Sequence, residues 1–315
     1  MLTVDALSPA HLDAANALAA AAYTEACEHL PLLPGGAAVP DLAELAANGM
    51  GVAAFDAGRM VGVLAAVAPF EGLFGPTTGT FAPLGAFAVT GERRERTASA
   101  LYEAAAARWI EAGALSHAVV AYAHDTAALE GLARSGFGRR TVDAIREARP
   151  LEPTPTPAGD VVLEELSPTR HGDALHLYRG MWAHLAATPT YLFPPDTSER
   201  ALLDGIARRG SRLFVARAGG ALVGFLEVTH EGETFVDALP SVAHICGAYL
   251  APEHRGDGVA AALLDHVLAV LAGEGRTHLG VDYEELNPTG RGFWLKHFTP
   301  FSLGVTRRID ERLFR

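Results

Sequence analysis

The sequence predicts two tandem copies of one α/β fold (α+β in some schemes), each a mixed, mostly antiparallel sheet flanked by helices. Three observations carry that expectation: a repeat at half-chain distance, a proline-rich joint between the copies, and the element order within each copy. Val61-Gly-Val-Leu64 reappears as Val223-Gly-Phe-Leu226, and Gly85-Ala-Phe87 as Gly247-Ala-Tyr249, both displaced by 162 positions. Leu7-Ser-Pro9 near the start is matched by Leu166-Ser-Pro168. A period this long marks a duplicated domain, because solenoid repeats run to roughly 20–50 residues. Between the copies, Pro150-Leu-Glu-Pro-Thr-Pro-Thr-Pro-Ala-Gly159 reads as an extended linker. Each proline fixes its own φ and disfavours helix in the residue before it. The expected division is 1–149, a linker over 150–159, and 160–315.

The elements of the second copy follow from local pattern. A short strand over 161–165 leads to a helical region ending near Arg209. Strands over 213–218 and 222–229 are joined by Gly219-Gly220, a hairpin signal. An apolar strand over 244–250 precedes a glycine-containing loop. A helix over 258–272 carries Leu263, Leu264, Val267, Leu268 and Leu271 at helical spacing, and Gly273 and Gly275 end it. A strand over 278–282, a helix over 288–297 and a last strand over 302–309 complete the copy. Hairpins combined with a strand–helix–strand crossover make the sheet mixed.

Composition narrows the function classes. With 315 residues, 49% of them hydrophobic and 20% charged, the chain is globular rather than disordered. A net charge of −12 argues against a nucleic-acid partner, whose phosphates reward a basic face. The long stretch without charged residues, Gly72 to Gly91, is broken by Gly, Pro and Thr, so no membrane span is expected. No Lys or Arg precedes Arg59, so the start lacks the basic region of a signal peptide, and a cytoplasmic location is expected. Two cysteines, Cys27 and Cys246, build no disulfide framework, and Cys246 is expected to be a buried thiol. Thirteen histidines show no His-Glu-x-x-His or paired spacing, so no metal is expected. No Gly-x-Ser-x-Gly occurs, which removes a common serine-hydrolase signature.

The informative stretch is Gly247-Ala-Tyr-Leu-Ala-Pro-Glu-His-Arg-Gly-Asp-Gly-Val-Ala-Ala-Ala-Leu-Leu264. A strand ends, the chain turns, and a helix begins whose first amides lack intrahelical acceptors and lie at the positive end of its dipole. Gly256 and Gly258 let the backbone approach a ligand, which suits a pyrophosphate, and Arg255 can add a charge-assisted contact. The blander reading is a tight turn. A Rossmann site is the rival of another class, with Asp282 at a suitable distance. Against it, the third glycine position holds Ala261, the motif lies late in its domain, and hairpin strands precede it.

Arg255-Gly-Asp-Gly-Val-Ala260 resembles the acetyl-CoA loop Gln/Arg-x-x-Gly-x-Gly/Ala of the GCN5-related N-acetyltransferase (GNAT) superfamily. Asn287-Pro-Thr-Gly-Arg-Gly-Phe-Trp294 is similar to that family's second motif, Asn-x-x-Ala-x-x-Phe/Leu-Tyr. The resemblance implies a tandem GNAT protein in which the second copy binds acetyl-CoA as co-substrate and transfers acetyl to a primary amine of a small molecule or peptide. It implies cofactor contacts from Ala248, Tyr249, Leu250, Arg255, Gly256, Asp257, Gly258, Val259, Ala260, Asn287 and Trp294, with the Leu250 amide polarising the thioester carbonyl. His244, in the strand entering the loop, corresponds to the position of a base in part of the family; its alternative role is a core histidine. Many members place a tyrosine where Trp294 stands, to protonate the departing thiolate. Indole cannot do so, which leaves Tyr283 or water, with Glu227 a third polar candidate that otherwise reads as a solvated strand residue. By the 162-residue shift, Gly256 and Gly258 become Arg94 and Arg96 in the first copy, and Asn287 becomes Asp125, so that copy is expected to be degenerate for CoA. The segment Trp182 to Asp196, with Tyr191-Leu-Phe-Pro-Pro195, is either a substrate lid or a packed connection. A non-catalytic acyl-CoA-binding or regulatory module and a mycothiol synthase-like enzyme remain alternatives, and the chain is expected to be a monomer or homodimer.

Overall fold

The structure is a computed structural model and describes residues 1–72, 75–193 and 197–314. Two compact units emerge: residues 1–143 together with 300–315, and residues 144–299. The first contains β1 (Leu2–Ala6), α1 (Leu12–His29), α2 (Ala43–Ala47), β2 (Val52–Asp56), β3 (Arg59–Leu64), β4 (Gly79–Ala82), β5 (Phe87–Val89), α3 (Arg94–Glu111), β6 (Ser116–Tyr122), α4 (Thr126–Arg134) and the start of β7 (Gly138–Glu147). Strands β1, β2, β3 and β5 form an antiparallel sheet in that order. Ala57 and Gly58, both at positive φ, make the tight turn between β2 and β3. Helix α3 covers this sheet with Ala98, Leu101, Tyr102, Ala105 and Trp109, all buried in one apolar cluster with Val63 and Leu64.

The second unit holds β8 (Val161–Leu166), α5 (Leu175–Ala186), α6 (Glu199–Arg208), β9 (Arg212–Ala218), β10 (Ala221–Thr229), β11 (Val242–Leu250), α7 (Val259–Gly273), β12 (His278–Glu284) and α8 (Pro288–His297). Its strand order β12-β11-β10-β9-β8 is antiparallel throughout except for the parallel pair β11 and β12. The mixed sheet expected from the hairpin and crossover pattern is present, and each expected strand and helix of this copy lies within a few residues of its place. Helix α7 buries the leucines that gave its period: Leu263, Leu264, Leu268 and Leu271 are each 2% exposed or less.

The last strand goes elsewhere. β13 (Thr299–Arg308) pairs antiparallel with β6, from Ser302 opposite Tyr122 to Arg308 opposite Ser116. The compact units therefore divide at Asp143/Ala144 and Thr299/Pro300, and residues 300–315, expected with the second copy, count with the first. The end of β7 counts with the second unit, where Ala148 N–H bonds the Thr277 carbonyl at 2.9 Å. Apolar periodicity marks β13 as a strand but carries no information about which edge receives it. The proline-rich segment is extended and docked: Leu151 N–H donates to Asp265 at 2.6 Å, and Ala158 N–H to the Asp257 carbonyl at 2.9 Å. No helix among the described residues is long and apolar enough to cross a membrane.

Close packing of α3 on α4 depends on Gly131, where an added Cβ would lie 2.3 Å from the Glu95 carbonyl oxygen. Gly131→Ala is expected to cost about 1–3 kcal/mol through overpacking against backbone. Gly138→Ala, at a position open to solvent, is the control. Thermal unfolding of the two variants should show a lowered midpoint for Gly131→Ala alone.

Candidate active site

The site begins with a fork in the second sheet. β11 pairs with β12 only from Val242/His278 to Ile245/Val281, while its pairing with β10 continues to Leu250, opposite Gly224. A register shift leaves Cys246 with no opposite residue on β10, a bulge. The bulge breaks strict alternation. His244, Gly247 and Tyr249, opposite Thr229, Glu227 and Phe225, share one face; Ala248 and Leu250 lie on the other. Strict period two would put His244, Cys246, Ala248 and Leu250 on one face; the one extra residue breaks that pattern, and Cys246, expected to be buried, is an exposed residue.

Backbone polarity follows from register. Ala251 N–H bonds the Val223 carbonyl at 2.8 Å. Bonded and non-bonded pairs alternate in an antiparallel ladder, so Leu250/Gly224 and Ala248/Leu226 are non-bonded pairs. The N–H groups of Ala248 and Leu250 therefore turn away from β10, toward the side that β12 has left. A cleft of about 440 Å³ occupies that side.

The loop into α7 forms one wall of the cleft. Gly258, the residue capping α7, has φ +78°, and Gly256 has φ +90°. Both need the left-handed region that glycine adopts freely. A Cβ on Gly258 would also lie 3.1 Å from the Thr156 carbonyl oxygen of the docked linker. Val259 and Ala260 open the helix and line the cleft with Gly256 and Gly258. Arg255 lines it too, but its Nε donates to the Leu250 carbonyl at 2.9 Å and its guanidinium lies 5.6 Å from the Tyr249 ring centroid. Asp257 is not in the lining; its carbonyl receives the linker's Ala158 N–H.

The opposite wall is α8. Asn287 caps it by accepting from Gly290 N–H at 3.2 Å and from the Thr289 hydroxyl at 2.8 Å. Gly290 leaves room for that cap, since a Cβ there would lie 2.9 Å from Asn287 Nδ2. Trp294 lines the cleft, held edge-on between Phe293 and Phe298 at 4.9 and 5.5 Å. Phe293, Lys296, His297 and His184 also line it and were missed from sequence. Gly290, Phe293, Trp294 and His297 recur at the helical period, and Lys296 is the sole lysine of the chain; either signal could have drawn attention to this face.

Residues 178–298 match the family model described as the acetyltransferase (GNAT) family. This segment belongs to the GNAT family. The GNAT protein of Sphaerobacter thermophilus is similar across 98% of this chain and 95% of its own, at 15% identity and TM-score 0.59. A structure described as a GCN5-related glucosamine N-acetyltransferase region of a fungal multi-domain β-N-acetylglucosaminidase is similar over 97% of this chain and 38% of its own, at 14% identity and TM-score 0.54. These likenesses show the fold. No curated protein matches.

Within this GNAT domain His244 is 1% exposed and both ring nitrogens are engaged. Nδ1 meets Asp237 Oδ1 at 3.1 Å, and Nε2 meets Asp282 Oδ1 at 2.9 Å. Burial alone would lower its pKa, but the two carboxylates outweigh burial and raise it to about 10. The imidazolium in turn holds Asp237 below the usual carboxylate range against the opposing effect of burial, with help from Thr234. His244 is thus offered as a clamped cation with no free lone pair, and not as the base expected from its position. Tyr283 does not line the cleft: its hydroxyl is buried without a hydrogen-bond partner, and burial raises its pKa to about 12. Glu227, read from sequence as a solvated strand residue, is 2% exposed. Burial would raise its pKa, but hydrogen bonds from Arg209 and Tyr178 hold it down. In the acceptor-side segment, Tyr191 and Phe193 are exposed, while Pro194 to Asp196 lie outside the described residues, so the lid reading extends beyond them.

The corresponding place in the first unit is closed. The strand equivalent to β11 is split into β4, parallel to β6, and β5, antiparallel to β3, with Pro83 to Ala86 between them. Arg94, at the position of Gly256, donates to both Glu25 oxygens at 2.7 and 2.8 Å and to Asp125 at 3.1 Å. The space left at this fork is about 10 Å³.

The clamp makes a pH prediction. Between pH 6.5, the ordinary value, and about 10, the folded chain keeps a proton on His244 that the unfolded chain has released. Stability from this group is therefore full below about 6.5 and is lost as pH rises toward 10. His244→Gln leaves Asp237 buried and unpaired and should cost about 3–5 kcal/mol near neutral pH. Unfolding midpoints of both proteins from pH 6 to 10 should converge as pH rises.

Proposed function

We propose that the protein is an N-acetyltransferase moving acetyl from acetyl-CoA to a primary amine of a small molecule or peptide, with the chemistry in the second unit. The observation that carries this reading is the fork, where two strand amides turn into a cleft bounded by a glycine loop and a helix N-terminus. The cleft fits the co-substrate: free amides suit a thioester carbonyl and a pyrophosphate, and the α8 wall is aromatic. Helix α7 would receive the pyrophosphate at Gly256 to Ala260. Leu250 N–H would hold the carbonyl oxygen as it gains negative charge under attack by the amine, an effect worth a few kcal/mol (about 2.7–4 for one such donor in a serine protease). Trp294 packs against the CoA arm; water takes the proton that the attacking amine sheds as the amide forms and protonates the departing thiolate, since neither indole nor Tyr283, which lies outside the cleft lining, supplies that proton. Asp282, one-third exposed beside the fork, draws in the ammonium form of the acceptor, which loses its proton to water before attack.

Purified chain with acetyl-CoA and a panel of amines should release free CoA thiol, and binding without release across the panel would leave a non-catalytic acyl-CoA module instead. Calorimetry is expected to find one acetyl-CoA per chain, because Arg94 and its partners fill the first fork. Gly258→Arg should abolish that binding while the chain still shows cooperative unfolding. In steady-state assays Trp294→Phe should keep kcat within about tenfold, or about 1.4 kcal/mol of barrier, whereas Trp294→Ala should raise KM for acetyl-CoA.

The acceptor's own ionisation should set the pH profile. The rising limb of kcat/KM is expected to follow the pKa of the amine used, moving when a less basic amine replaces a more basic one. Its position should be the same in His244→Gln. A limb that stays fixed for all amines and disappears in that variant would restore His244 as the base.

A further inference from the structure

The closed fork of the first unit carries a group of side chains that acetyl transfer does not use. Glu25 and His29 stand one turn apart on α1, and His124 follows β6 at the turn into α4. One potential ligand atom from each, a carboxylate oxygen and two imidazole nitrogens, lies within 4.8 Å of the others. We propose that Glu25, His29 and His124 form a binding site for a first-row divalent cation such as Zn²⁺.

The donor set suits such an ion. Two imidazoles and one carboxylate are borderline ligands of the kind that Zn²⁺ takes at about 2.0–2.2 Å, with a fourth position for water. Tetrahedral bonds of that length place ligand atoms about 3.3 Å apart, so modest side-chain rotation closes the set. His29 is exposed. The two rings are stacked at 4.6 Å between centroids and 19° between planes.

The surrounding charges also favour a cation. Arg94 touches both Glu25 oxygens, but a carboxylate has about four acceptor positions, so the contact orients Glu25 and leaves lone pairs for the ion. Glu25 and Asp125 together outweigh Arg94 by one negative charge. That excess sits in a half-buried fork where a dication is more strongly attracted than in open solvent. Asp125 is committed to Arg94 and to Ala128 N–H at the start of α4. A bound ion would tie the last turn of α1 to the β6–α4 turn, holding shut the fork that in the second unit is open. The short sequence separation of Glu25 and His29 hid this set, because its third member is nearly a hundred residues away.

Full-length protein stripped with a chelator and titrated with ZnCl₂ should take up one ion per chain by calorimetry. His29→Ala, at an exposed position, should weaken uptake at least tenfold, as should Glu25→Gln and His124→Ala. Zn²⁺ should raise the unfolding midpoint of the unaltered protein and not that of His29→Ala. Co²⁺ should give the intense visible absorption of a low-coordinate nitrogen and oxygen site without thiolate charge-transfer bands. No uptake, uptake undiminished in the His29→Ala/His124→Ala double variant, or thiolate bands pointing to Cys27 would each overturn the assignment.

Discussion

The second unit rests on an unequal pairing of one strand. β11 keeps its antiparallel partner β10 along its whole length but loses its parallel partner β12 after Ile245. Backbone N–H and C=O groups must find partners wherever they are placed. Separating two strands therefore creates, from backbone alone, a row of donors and acceptors whose partner must come from outside the sheet. The bulge at Cys246 sets which residues present those groups, and α7 begins where that row ends. A cleft at the strand ends beside a helix N-terminus follows from these few constraints before any side chain is considered. Side chains then narrow it: Trp294 supplies an apolar wall, Asn287 fixes the start of α8, and two glycines permit the turn.

His244 stands just before the fork and shows how a charged residue can serve the sheet rather than the reaction. Its ring bridges Asp237, from the β10–β11 connection, and Asp282, on the strand that leaves. Gly280 lies opposite His244 in the parallel pair, and a Cβ there would meet Asp237 at 2.7 Å and the ring at 3.0 Å. A bare residue is needed at that rung for the clamp to close. Burying one cation between two carboxylates is costly in desolvation, and the compensation is geometric: the last paired rungs are pinned before the strands diverge. A group doing this work holds its proton tightly and is poorly suited to exchange it with a substrate.

Much of this was legible in the sequence. The 162-residue repeat, the glycine pattern after β11 and the leucine period of α7 reported the duplication, the loop and the helix, because each is a local requirement written in adjacent residues. The start of α8 at Pro288 was legible for the same reason. What escaped depended on distant partners. Nothing near His244 announces Asp237 and Asp282 together, and a one-residue bulge reassigns faces without altering composition. Glu227 read as a solvated strand residue because its partners Arg209 and Tyr178 come from elements that pattern alone does not bring near it. The destination of β13 was hidden too, since a strand's sequence specifies its faces far better than its neighbour.

The two units put one fold to opposite electrostatic uses. In the second, the loop position is Gly256 and no side chain enters, so the positive end of α7 and the strand amides remain available to an anion. In the first, Arg94 stands at that position and supplies the positive charge from within. Once a guanidinium occupies the fork it needs anionic partners, and Glu25 and Asp125 provide them, the latter while still capping α4 as Asn287 caps α8. The cap geometry survives because a helix start requires it whatever the ligand, and aspartate performs it as well as asparagine. The change from Asn287 to Asp125 is thus conservative for the fold and decisive for charge. A carboxylate beside the glycine loop would repel a pyrophosphate, and the same carboxylate beside Arg94 completes an ion pair. An arginine in the place of the loop glycine accounts for both the filled cavity and the acidic neighbours of the first unit.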